Sequence, residues 1–188
     1  MGELKKIAKE IKKDHDLAMA LWGSGEFQPR LLSVLIMDKK QLTQDVLDML
    51  ANDLMSHNDG DRARISEWLL ANQLMKDKNT RALLESWEHH ESPTLRRLFW
   101  YHQGRLRWTG QTPPDNTVSL LDALDQNLAR EDPEVQWAMN FTAGWIGVQF
   151  GATGSSLYNP TFSPSWIQRV RCLGSCTPIQ PAVKFMVH

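Results

Sequence analysis

Cysteine is almost missing from this chain: Cys172 and Cys176 are the only two in 188 residues, and both fall near the C-terminal end. A pair so placed excludes a disulfide-stapled framework and, with no histidine at finger spacing, supports no zinc site or other metal site. Long apolar runs are missing as well. Stretches such as LLSVLIM fall far short of the roughly 20 residues needed to cross a bilayer. The N-terminal GELKKIAKEIKK carries lysines but no apolar core of signal-peptide length, which predicts a cytoplasmic chain with no membrane partner. No useful length of sequence alternates apolar with polar residues, so strands are not expected. Net charge is lacking too: a formal −1 and a pI near 6.6 exclude a polybasic coat, and any nucleic-acid contact must come from a local patch.

One such patch exists because acid is locally absent. Between Glu91 and Asp115 there is no Asp or Glu, yet Arg96, Arg97, Arg105 and Arg107 all fall in that interval. They stand as local positive charge with no acidic neighbour in sequence. The surrounding stretch from Glu67 to Trp108 also holds Arg81 and four of the eight tryptophans. Two readings are open: an aromatic and basic cleft for nucleic acid, or packed helices whose arginines are solvated or paired with acids elsewhere.

What is present is helical periodicity. Ile7, Ile11, Leu17 and Leu21 predict one amphipathic helix, or a pair broken near Asp14, ended by Gly23-Ser24-Gly25. Pro29 suits the first turn of the next helix, which is expected to run to about Met37. Leu42, Val46, Met49, Leu50 and Leu54 make a third stripe, broken by SHNDGD. Asp61 is the expected N-cap of a helix through Ile65, Trp68 and Leu74, ending near the turn Lys76 to Asn79. Ser92-Pro93 and Asp132-Pro133, forty residues apart, each place a capping residue before a proline at the start of a long helix. Each long helix follows a shorter one, with Leu83-Leu84 matching Leu120-Leu121 and Tyr101 matching Phe141. Helix pairs at that period predict an all-α, HEAT-like repeat solenoid, the alternative being a generic helical bundle. The repeat region is expected over residues 1–148. Residues 149–188, rich in Gly, Ser and Pro, are set apart as a divergent, disordered or frameshifted tail.

Helical spacing sorts the chemistry-bearing residues into ridges: Arg64, Trp68 and Asn72; Arg97 and Tyr101; Trp137, Phe141 and Trp145. If successive second helices share a face, these ridges form a shallow trough in which arginine meets phosphate and aromatics pack against sugar and base. Some members are expected to point inward instead, namely Trp87, Trp100 and at least one of Trp137 and Trp145.

The segments LAMALWGSGEFQPRLLSVLIMD, EWLLANQLMKDK, SPTLRRLFWYHQGRLRW and PEVQWAMNFTAGWIGV resemble, in order, the AlkD-type DNA alkylation repair proteins. The resemblance spans about residues 3–148. It implies a curved helical solenoid without a cofactor, a monomer that binds alkylated duplex DNA on a concave face and excises N3- and N7-alkylated purines without a deep base pocket. That family's cleft holds a tryptophan, an aspartate four residues on, an arginine and a second tryptophan. By this likeness Trp68 takes the first place, Asn72 stands where the aspartate belongs, Arg97 takes the arginine's place and Phe141 stands where the second tryptophan belongs. Asn72 and Arg97 are thus the catalytic positions, with Arg64, Trp68, Arg96, Tyr101, Arg105, Arg107, Trp137 and Phe141 as DNA contacts. An amide at position 72 leaves catalysis open, with a non-catalytic binder of DNA shape or a protein-binding scaffold as alternatives. Glu67 lies roughly 100° round the helix from Trp68, which makes it a poor substitute.

Overall fold

The computed structural model describes residues 2–152 of the chain; Cys172, Cys176 and nearly all of the segment set apart as a tail lie outside them. The described residues are all-helical, with nine α-helices: α1 (Gly2–Ile11), α2 (His15–Gly23), α3 (Phe27–Ile36), α4 (Gln44–Leu54), α5 (Asp59–Asn72), α6 (Lys78–Glu85), α7 (Pro93–Trp108), α8 (Thr117–Asn127) and α9 (Pro133–Ala152). α9 therefore runs past the boundary expected at residue 148. No described helix is long and apolar enough to cross a membrane.

Local chemistry explains most of the boundaries. The first segment is the broken pair: Lys12 adopts a left-handed φ of 66°, and the Asp14 carboxylate accepts from the Leu17 N–H to open α2. Thr43 and Asp77 cap α4 and α6 through their side chains. For α5 the cap is Asn58, not Asp61. The Asn58 carbonyl oxygen accepts from the Asp61 N–H at 3.0 Å while its amide donates to the Asp61 carboxylate at 2.8 Å, so Asp59 and Gly60 are drawn into the first turn. The same helix stops early, at Asn72, and a short 3-10 turn over Leu74–Lys76 carries the chain to α6.

The helices form two rows. α3 packs on α1 and α5, α5 on α7, and α7 on α9, while α2, α4, α6 and α8 each pack on the helix that follows them. The core between the rows is built from Trp22, Leu31, Leu50, Leu54, Leu70, Trp87, Leu98 and Trp100, all nearly inaccessible. Buried polar groups tie the rows together. The Arg30 guanidinium donates to the Trp22 and Asp53 carbonyls, Gln73 to the Val34 and Met37 carbonyls, and the Trp87 indole to Gln44. Arg62 reaches furthest, pairing with Glu134 at the start of α9, 72 residues away.

α7 and α9 run parallel in the forty-residue register that Pro93 and Pro133 share, although the Ser92 side chain, expected to cap α7, makes no cap bond and the Asp132 carboxylate accepts from Arg96. The Thr142 hydroxyl donates to the Trp100 carbonyl at 2.6 Å, and the Tyr101 and Phe141 rings lie 5.2 Å apart. Gly104 allows this approach: a methyl group there would lie 2.6 Å from the Phe141 ring and 2.8 Å from the Thr142 hydroxyl. Gly104→Ala is therefore expected to push α9 off α7 and destabilise the protein by about 1–3 kcal/mol. The check is a lower urea midpoint with an unchanged slope.

Candidate functional site

The three ridges predicted from spacing lie on α5, α7 and α9, and it is the second and third that adjoin most closely. Along α7 the ridge reads Arg97, Tyr101, Arg105, Trp108; beside it on α9 stand Trp137, Phe141 and Trp145. Trp137 stacks on Phe141 with 5.8 Å between centroids and 8° between planes, and Trp108 meets both Phe141 and Trp145 edge-on or tilted at 6.1 and 6.2 Å. The result is an aromatic strip whose outer members are open, Trp137 at 50% and Trp108 at 41% exposure. Neither Trp137 nor Trp145 is buried, contrary to the expectation that one of them would be; Trp87 and Trp100 do lie in the core. The difference arises because Ala138, Met139, Thr142 and Ile146 supply the inward face of α9.

Arg97 lies beneath this strip, only 3% exposed. Its guanidinium sits 5.2 Å from the Trp137 ring and 5.6 Å from the Tyr101 ring, close enough for attraction to the π faces. One of its Nη atoms donates to Glu67 at 2.6 Å and the other to the Ser66 hydroxyl at 3.3 Å. Glu67, expected to be badly placed, thus enters the trough, because α7 packs against the flank of α5 that carries Ser66 and Glu67. Three helices meet at this point through one cation, one carboxylate and one indole.

The other arginines are differently employed. Arg96 donates to Glu131, Asp132 and the carbonyls of His90 and Glu91, which fastens the start of α7 to the α8–α9 turn. Arg107, also 3% exposed, bonds the Gln103 carbonyl, Asn116 and Thr117; burial lowers its pKa. The acid-free interval is therefore not uncompensated in three dimensions, since Glu67 answers Arg97 and Glu131 with Asp132 answers Arg96. A count along the sequence misses partners that lie thirty or more residues away. Arg105 remains half-buried beside Tyr101, whose phenol is pushed up by burial and by Glu67 and pulled down by Arg105. On α5, Arg64 and Trp68 are half-buried, and the Asn72 amide donates to the Trp68 carbonyl at 2.9 Å.

Sequence reasoning passed over Glu67 and Trp108. Both carried a usable signal: Trp108 lies seven residues beyond Tyr101 and so on the same helical stripe, and Glu67 precedes the tryptophan of the first ridge. Among the described residues no cluster of three or more His, Cys, Asp or Glu is arranged to hold a metal.

All-helical over its described residues, with an open strip of indoles over a half-buried ion pair: that is the class that fold and site define. The family model for DNA alkylation repair enzyme matches residues 1–142. The chain belongs to that family. No curated protein matches it significantly, and no solved structure does.

Behind the trough, α7 holds His102 at 1% exposure, in the wall of a cavity of about 300 Å³ shared with Arg81, Glu85 and Gln111. Burial, then Arg81 and Arg105, lowers its pKa to about 4, while the unfolded imidazole titrates near 6.5. The unfolded chain thus binds the extra proton between those values. The destabilisation that this one group contributes is absent above about pH 6.5, grows as pH drops and is complete below about 4, about 3 kcal/mol in all. His102→Leu is expected to flatten this window, read as a smaller difference between urea midpoints at pH 7 and pH 4.5.

Proposed function

We propose that this chain binds duplex DNA along the trough and hydrolyses the N-glycosidic bond of N3- or N7-alkylated purines. In this reading the two rows stack as a HEAT-like solenoid and the protein acts as a monomer. The observation that carries it is Trp137, half-exposed and stacked on Phe141 directly above the Arg97–Glu67 pair. A half-exposed indole suits an alkylated base, which carries positive charge and gains from a π surface. The strip is shallow, so the lesion is met at the duplex surface and not drawn into a cavity. Family membership supports a role in DNA alkylation repair.

The phosphate contacts are assigned to Arg64, one turn before Trp68, and Arg105, beside Tyr101. Arg97 keeps its place at the centre but acts beneath the surface, because Glu67 neutralises it and Trp137 covers it. The second reading, a non-catalytic binder of DNA shape, draws on Asn72, whose amide is turned back on its own helix and is no carboxylate.

Affinity for duplex DNA is expected to fall steeply with salt as condensed counterions are released, with Arg64→Ala flattening the slope of log K against log salt by about one unit. Trp137→Ala is expected to weaken binding by about 1–3 kcal/mol at every sequence while leaving that slope unchanged. Fluorescence titrations between 50 and 200 mM salt, roughly the range over which phosphate contacts are read out, measure both. A salt-independent affinity would instead favour a protein-binding scaffold.

A further inference from the structure

Resting on the glycosylase reading, we infer that Glu67 is the catalytic carboxylate of this chain. Cleavage breaks the C1′–N bond with its electron pair going to the base, which leaves neutral because it entered as a cation. Positive charge then gathers on the deoxyribose between C1′ and the ring oxygen. Water bonds to C1′ and must lose one proton. A carboxylate beside the sugar stabilises the first stage electrostatically and accepts the proton in the second.

The inner helices α5, α7 and α9 offer few acids for this work. α7 has none; on α9 the only acid is Glu134, which is paired with Arg62. On α5, Asp59 is paired with Arg62 and Asp61 closes the helix cap with Asn58, both at the far end from Trp68. Glu67 alone among them stands with Arg97, Tyr101 and Trp137, and its side chain is 30% exposed. Arg97 holds it by one oxygen at 2.6 Å, and Arg97 is itself fixed by Ser66 and the Trp137 ring. One carboxylate oxygen is thus anchored beside the half-exposed Trp137, and the other carries no bond to Arg97. Asn72 cannot take the role: an amide accepts no proton at neutral pH, and its N–H is committed to the Trp68 carbonyl. Arg97 is a positioning residue, since it is too deeply covered to touch a substrate.

The test is single-turnover release of N7-methylguanine from a duplex by the full chain, run beside a duplex-binding titration and a melting curve. Glu67→Gln is expected to slow release on the order of a hundredfold to a thousandfold while duplex affinity holds or tightens, because a negative charge has left the DNA-facing surface. The melting temperature falls in either case, because the glutamine leaves Arg97 without its carboxylate; a residue that only braces α5 against α7 would lower affinity in step with the rate. Glu67→Asp keeps the charge but withdraws it by one methylene, so a folded protein with an intermediate rate is expected there, and it decides the matter if the glutamine variant does not fold. Unchanged release by Glu67→Gln, or a larger loss from Asn72→Ala, overturns the assignment and leaves the glycosylase reading standing. Binding without release by the unsubstituted chain overturns both.

Discussion

A guanidinium almost wholly removed from water must be met on every side, and Arg97 makes that demand at the centre of this protein. α5 answers with Glu67 and Ser66, α7 with Tyr101, and α9 with the face of Trp137. None of these helices could be displaced alone without leaving a buried charge partly unpaired, which typically costs several kcal/mol. The position of α9 over α7 thus follows from electrostatics as much as from apolar contact. The exposure of Trp137 follows in turn: an indole held face-on to a cation beneath it cannot also turn into the core.

Much of the fold was legible because it rests on local chemistry. Prolines 93 and 133 at the first turns of α7 and α9 and the glycines after Trp22 act within a few residues of themselves, and the matched pair Tyr101 and Phe141, forty residues apart, does end ring to ring. Where reading along the chain failed, the deciding partner was remote or the competition close. Asn58 and Asp61 are both good caps three residues apart, and only the reciprocal bond between them chooses. The inward face of α9 was misjudged because its small residues, Ala138 and Thr142, fill it better than indoles would against Trp100 and Gly104. The fate of Arg96 hangs on Glu131, thirty-five residues on.

Glu67 illustrates a more general difficulty. Adjacent helical residues diverge by about 100°, so a residue beside a ridge is discounted when one surface is assumed to matter. Here α7 packs on the flank of α5, and Glu67 lies between two ridges, not on one. The likeness to a known cleft pointed to position 72; the neighbours across the helix interface point to 67.

The pairing of Arg62 with Glu134 joins α5 to α9 directly, skipping the helix that separates them in the row. A stack held only by contacts between neighbours comes apart one unit at a time from its ends. A tie that spans two steps links α9 to the middle of the described row. α9 brings most of the aromatic strip, so its fraying would dismantle the trough before the rest of the chain unfolded. The Arg62–Glu134 pair ties α9, the last described helix, to α5 in addition to its packing on α7, which opposes that local opening.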